Sequence, residues 1–290
     1  MSFSKALKNK DFIITAELFP PKGTDLKNFI SKAKLLKDYV DGINVTDNQR
    51  AVMRISSLAA SKVLVELGAD PIYQITCRDR NRLALQSDLI GAWALGIKNV
   101  LALSGDHPNN GDHPEAKPVY DLDTVQLIKT ISTLNQGFDL SENKLNGKPN
   151  FIIGAVCNPV YDNMELQYLM VQKKINAGAQ FFQTQAVYDS SLFKKFLKNV
   201  NNNNKTRFLA GILPLKSSQM AKMLNEKVPG IVIPEEIIKD LEKSDDPLKL
   251  GLKIAASLIK ELKQFADGVH IMAINFEEKI PEILKLTNYK

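Results

Sequence analysis

The polar residues that could do chemistry in this chain are those that interrupt or end short apolar runs, and most of them are carboxylates and amides. Glu17 stands in FIITAELF, Thr46 and Asp47 close GINVTD, and Gln74 and Thr76 lie in PIYQITC. Ser104 and Asp106 end NVLALSGD, Asn158 follows FIIGAVC, Gln183 and Gln185 lie in AQFFQTQ, and Asn275 follows GVHIMAI. A carboxyl flanked by Ala16, Leu18, Phe19 and two prolines has its charged form disfavoured, which raises its pKa and makes Glu17 a candidate proton donor near neutrality. A solvent-facing strand-end glutamate would carry the same letters. Asp106 follows Gly105, whose missing side chain lets a ligand approach the backbone, though an aspartate there equally suits a turn. Gln183 and Gln185, two apart, would share a strand face, where paired amide donors and acceptors can read a heterocycle. Lys173 and Lys174 offer either an anion contact or a solvated helix face.

Other chemistries are poorly served. GDHP occurs at 105–108 and again at 111–114, but HxxxxxH in a Pro/Gly loop lacks the helical spacing that fixes two imidazoles on one ion, so no metal is expected. His270 reads as a satisfied core histidine. No Ser-His-Asp or Cys-His order can be assembled, and no phosphate-cradling P-loop is present. Cys77 and Cys157 are the only cysteines, far apart and outside any CxxC, which excludes a disulfide framework and suits a reducing compartment. The net charge of +6 comes from lysines scattered over polar faces, not clustered with aromatics, so a solvated surface is expected and no nucleic-acid groove. The first residues lack the apolar segment of a secretion signal, and nowhere do eighteen apolar residues run together. The expectation is a cytoplasmic protein with no membrane partner.

Something must hold these residues around one place. Hydrophobic residues make up 44% of the 290 and charged residues 24%, which allows a sizeable core and argues against disorder. Eight short apolar runs alternate with longer amphipathic segments, the first kind suiting buried parallel strands and the second their covering helices. The strands are expected at 12–19, 42–46, 71–77, 99–105, 151–157, 179–185, 207–214 and 268–274, with helices such as 50–67, 82–95, 122–134 and 164–177. Gly68, Gly96 and Gly178 follow several of these helices, as a left-handed C-cap requires. Eight such units make one (β/α)8 TIM barrel over residues 1–290, an α/β fold whose active site lies at the carboxyl ends of the strands. An open doubly wound sheet is the rival, but ELFPPKGTD does not read as GxGxxG. The loop 107–118 follows the fourth strand and belongs to the mouth, whereas 135–150 follows a helix and belongs to the opposite face. Residues 228–246 should add an extra helix before the last strand, and the asparagine run 201–204 a solvated turn before the seventh.

The phrases ITAELFPPKG, GINVTDNQR, YQITCRDRNR, LALSGDHP, INAGAQFFQTQAVYD and AGILPL, in this order from Phe12 to Asn275, resemble the methylenetetrahydrofolate reductase family. The resemblance implies a flavoprotein of the bacterial catalytic-domain-only type, serving one-carbon metabolism and methionine biosynthesis. Such an enzyme uses FAD to pass a hydride from NADH or NADPH to 5,10-methylenetetrahydrofolate, giving 5-methyltetrahydrofolate. On this resemblance Glu17 matches the general acid that assists opening of the folate's five-membered ring to an electrophilic iminium. Asp106 matches an aspartate beside flavin and pterin, and Gln185 the folate-reading glutamine. Thr46, Asp47, Gly105, Tyr120, Asp121, Asn158 and Lys174 match positions lining FAD, joined by Gln74 and Ser104 where better-known bacterial reductases carry His and Arg. Further departures are Gly154 for an aromatic near the fifth strand, Phe276 for an Arg after the last strand's asparagine, and Ser218 for a Phe after GILP. These mark a divergent branch. Two other readings stay open: a folate one-carbon reductase that works without flavin or with a partner electron-donor subunit, and a folate-binding barrel without catalysis. A homo-oligomer is compatible with each.

Overall fold

A computed structural model describes residues 2–202 and 206–288, so Asn203 and Asn204 of the expected asparagine turn lie outside the described residues. Eight parallel strands close into a barrel in sequence order: β1 (Ile13–Leu18), β2 (Gly42–Val45), β3 (Pro71–Thr76), β4 (Asn99–Leu103), β5 (Ile152–Cys157), β6 (Phe181–Ala186), β7 (Arg207–Ile212) and β8 (Gly268–Ile271). β1 pairs with both β2 and β8, with Thr15 opposite Gly42 on one side and His270 on the other. The strands expected from the apolar runs all form, each ending within a few residues of its expected bounds.

Strand periodicity decides which side chains meet. Ile14, Ala16 and Leu18 of β1 point outward into the layer shared with the helices, together with Ile43, Val45, Tyr73, Ile75, Phe182 and Phe208. Their alternates point inward. At the amino-terminal end the interior is apolar, filled by Ile13, Ile72, Leu101, Phe181 and Leu209. An initial helix that the sequence pattern did not suggest, α1 (Phe3–Asn9), plugs this end, with Phe3 edge-on to Phe181 at 5.0 Å between ring centroids.

The outer helices are α2 (Lys27–Leu36), α3 (Ser57–Glu66), α4 (Arg82–Ala94), α5 (Thr124–Gln136), α6 (Met164–Ala177) and α7 (Ser190–Asn199), followed by α8 (Ser218–Lys227), α9 (Glu235–Lys243), α10 (Pro247–Leu262) and α11 (Ile280–Leu286). The helix expected from residue 50 starts instead at Ser57, capped by the Ser56 hydroxyl, which accepts from the Ala59 amide. Asn48, Arg50 and Ala51 adopt positive φ angles of 46°, 57° and 56°, and so cannot open a right-handed helix. Between β7 and β8 the expected extra helix is α9, and α8 is a second. α10 then packs against the barrel. Among the described residues no helix is long and apolar enough to cross a membrane.

Gly154 is a packing position. It lies within β5, facing inward, and a Cβ built there would stand 2.2 Å from the ring of Phe181. The aromatic bulk expected at this point is thus supplied from the neighbouring strand. Gly154→Ala should overpack this layer and lower unfolding stability by about 1–3 kcal/mol. Urea denaturation checks it; an unchanged midpoint would mean that the ring moves aside freely.

Candidate active site

Above the apolar layer the barrel interior turns polar. Thr15, Asn44, Gln183 and His270 are all buried, drawn from β1, β2, β6 and β8. Gln183 Nε2 donates to Asn44 Oδ1 at 2.9 Å and to Thr15 Oγ1 at 3.1 Å, and Asn44 Nδ2 donates back to Gln183 Oε1 at 2.6 Å. Thr15 Oγ1 also shares a hydrogen bond of 3.0 Å with His270 Nδ1. Because every amide here is paired, the layer is a rigid floor and not a receptor.

Glu17 stands on this floor, two residues after Thr15 and only 5% exposed. Gln74 Nε2 donates to its Oε2 at 3.2 Å and Gln49 Nε2 to its Oε1 at 3.4 Å. His270 Nε2 lies 3.8 Å from Oε2. The apolar sequence neighbours Ala16 and Leu18 face the opposite way, so amides and an imidazole surround the carboxyl where the sequence suggested apolar walls.

Asp106 reaches the mouth from the loop after β4. Gly105, at φ 84°, turns the chain there in a conformation that a side chain rarely tolerates. The Asp106 carboxylate accepts the Arg50 amide at 3.0 Å, which ties the left-handed 48–51 turn to the β4 loop. Beneath them Arg78, 2% exposed, donates to the carbonyls of Asn48 and Asp106 at 3.3 Å each and pairs with Asp79. The second GDHP is structural: Asp112 pairs with Lys22 and accepts the Met53 amide at 3.0 Å.

Gln185 is set apart from Gln183 by a bulge, its Oε1 accepting the Ala186 amide at 3.0 Å. The register of β6 against β7 slips between Gln183 and Ala186, and Thr184 Oγ1 accepts the Gly211 amide at 2.9 Å within that irregularity. Gln183 is therefore bonded inside the barrel while Gln185 lines the mouth, so the two do not form one reading pair. Glu17, Asp106 and Gln185 line a single cavity of about 790 Å³, with Gln49, Arg50 and Asn275 beside them and α8 along its wall.

The remaining expected residues gather at the ends of β2 to β5, away from this lining. Asp47, 3% exposed, accepts the Thr76 amide and hydroxyl at 2.9 and 3.0 Å and pairs with Arg80 at 2.8 Å. Burial pulls the Arg80 pKa down, but the charge and hydrogen bonds of Asp47 more than reverse this. Asp121 is held by Arg82, whose side-chain hydrogen bond brings the carboxyl down to about 2. Ser104 bonds Thr124 at 2.7 Å, and Tyr120, at φ 41°, donates its hydroxyl to the Gly105 carbonyl at 3.0 Å. Asn158 caps its own turn by accepting the Val160 amide and abuts Gly230. Lys174 donates to the Val156 carbonyl at 2.8 Å, and burial lowers its pKa. Thr46 is buried and its hydroxyl has no partner among the described residues. Cys77 and Cys157 are free and buried, which pushes both thiols up to about 12 and removes them as nucleophiles.

Sequence reasoning missed Thr15, Asn44 and His270 as partners of the site, along with Gln49, Arg78 and the α8 wall. A signal was present for the first three, since polar residues recur at alternate positions of strands that are otherwise apolar.

Comparisons with known proteins show which family the chain is similar to. Residues 2–288 match the family described as methylenetetrahydrofolate reductase. A probable methylenetetrahydrofolate reductase (NADPH) of Caenorhabditis elegans is 27% identical over 97% of this chain, which spans 43% of that protein's length. A 5,10-methylenetetrahydrofolate reductase of Buchnera aphidicola is 26% identical, covering 92% of this chain and 89% of its own, and that of Escherichia coli is 24% identical over 91% and 87%. Among solved structures, an uncharacterized protein from Clostridium thermocellum that binds two copies of 5-methyl-5,6,7,8-tetrahydrofolic acid superposes with a TM-score of 0.64 at 19% identity, over 98% of this chain and 96% of its own. At that identity the likeness speaks for the barrel alone.

Proposed function

Since the chain belongs to the methylenetetrahydrofolate reductase family, we propose that it reduces 5,10-methylenetetrahydrofolate to 5-methyltetrahydrofolate with electrons from NADH or NADPH passed through FAD. The observation that carries this reading is the convergence of Glu17, Asp106 and Gln185 on one cavity large enough for a pterin beside a second flat ring. The tetrahydrofolate bound by the Clostridium thermocellum barrel adds support for a folate ligand.

The residues at the ends of β2 to β5 fit a flavin. Thr46 offers a buried hydroxyl without a partner, and Lys174 an ammonium with one backbone acceptor, suited to a diphosphate. Gly105 and Tyr120, both at positive φ, are joined here by the hydrogen bond from the Tyr120 hydroxyl to the Gly105 carbonyl. Asp47 and Asp121, bound to Arg80 and Arg82, act by holding these loops in place. FAD, when bound, supplies a carrier that takes a hydride from the nicotinamide and returns it to the folate.

Glu17 delivers the proton that opens the folate's five-membered ring. Gln74 and Gln49 hold its two oxygens apart, and each amide can present nitrogen to the ionised carboxyl or oxygen to the protonated one by turning over. Asp106 places a negative charge where the ring-opened iminium is positive and so favours that electrophile. Gln185 meets the heterocycle from the opposite wall.

The protein as isolated should be yellow. Anaerobic NADH or NADPH should bleach it, and methylenetetrahydrofolate should restore the colour. A colourless protein that still reduces the folate would remove FAD from the reading, and a flavoprotein indifferent to the folate would overturn the assigned substrate.

A further inference from the structure

His270 joins the polar floor to Glu17, and the hydrogen bonds around it decide which of its ring nitrogens carries the proton. Gln183 Nε2 has two hydrogens and both are spent, one on Asn44 Oδ1 at 2.9 Å and one on Thr15 Oγ1 at 3.1 Å. Thr15 therefore accepts from the amide and has its own hydroxyl proton left to give. Its nearer acceptor is His270 Nδ1 at 3.0 Å, against 3.5 Å to the Val269 carbonyl. An Nδ1 that accepts carries no hydrogen, so the ring proton sits on Nε2, the nitrogen that lies 3.8 Å from Glu17 Oε2.

Glu17 has little else to steady a charge. It is 5% exposed and His270 3%. Among the described residues no lysine or arginine lies within ion-pair distance of its carboxyl, and the bonds from Gln74 and Gln49, at 3.2 and 3.4 Å, are long. In the proposed reaction the Glu17 proton goes to the folate ring nitrogen. The bond from that nitrogen to the one-carbon unit breaks with its electron pair staying on nitrogen, and Glu17 is left a carboxylate. At 3.8 Å the Nε2–H is beyond hydrogen-bond length, but the positive end of its dipole stands beside the oxygen that becomes charged. We propose that His270 is a positioning residue for proton transfer by Glu17, an inference that rests on the folate reading above for the reaction and on the floor alone for the tautomer. Thr15 and Gln183 hold the imidazole with its hydrogen on Nε2, and that hydrogen supports the carboxylate formed as the folate ring opens.

The chain has three histidines, so nitrogen NMR of histidine-labelled protein resolves each ring, and the signals lost in a His270 variant identify this one. Without folate, the native protein should show His270 protonated on Nε2 only. A proton on Nδ1, or on both nitrogens, would overturn the assignment. Two variants then separate positioning from packing. His270→Asn keeps an acceptor for Thr15 and loses the donor facing Glu17, whereas His270→Gln keeps a donor near Nε2 and loses the acceptor. In stopped-flow experiments His270→Asn should slow folate reduction about tenfold and His270→Gln less than about threefold. Flavin reduction and 5-methyltetrahydrofolate affinity should stay within about twofold in both. Thermal stability should run the other way, with His270→Gln the lower because it breaks the floor. If the less stable variant were also the slower, or His270→Asn kept the native rate, the positioning role would be refuted. A native protein with the expected tautomer that reduced no folate would remove the folate reading, and the role of His270 with it.

Discussion

Glu17→Gln should lower folate reduction by roughly 10²- to 10⁴-fold, the range that general-acid groups contribute, while reduction of the flavin by NADH or NADPH stays within about twofold. The amide is isosteric and can still bond Gln74 and Gln49, so the floor of Thr15, Asn44, Gln183 and His270 should stay intact. It has no proton to give. Stopped-flow absorbance, following each half-reaction separately, distinguishes the two steps. Equal loss in both would point to a disturbed cavity, and full folate turnover would remove Glu17 from its role.

Arg80→Met should be strongly destabilising, although Arg80 lies outside the apolar layers. Asp47, 3% exposed in the native chain, would keep its two donors from Thr76 and lose its ion-pair partner, and Asp88 would lose its 2.8 Å contact with Arg80 Nε. Breaking a buried pair from one side costs about 3–5 kcal/mol, and the partial exposure of Arg80 places this one near the lower end. In a chain of this size that is a fall in Tm of roughly 6 °C. Adding Asp47→Asn should recover part of the loss, because the uncompensated charge is then gone. A double variant less stable than Arg80→Met would show that Asp47 is held by its other contacts and not by the pair.

The order and bounds of the barrel elements were legible because they depend on local pattern. Apolar runs too short for helices alternate with segments of helical period, and Gly68, Gly96 and Gly178 end several helices at positive φ. Where a local conformation broke the pattern, the reading slipped. Left-handed residues at 48–51 delay α3 by seven positions, and the plug α1 has too few residues to announce itself.

The candidate residues were legible as letters, but their surroundings were not. Ala16 and Leu18 adjoin Glu17 in sequence and face away from it in space, whereas Gln74 and His270, 57 and 253 positions distant, surround it. Gln183 and Gln185 share a parity that the bulge in β6 cancels. By itself the sequence determined a (β/α)8 barrel with carboxylates and amides at its strand ends. Only the tertiary structure decided which of them are bonded into the floor, which face the cavity, and that a helix beyond the eightfold repeat walls it with lysine and methionine. The physical reason is closure: an inward-facing side chain in a barrel meets partners from other strands across the axis, and no local pattern encodes who they are.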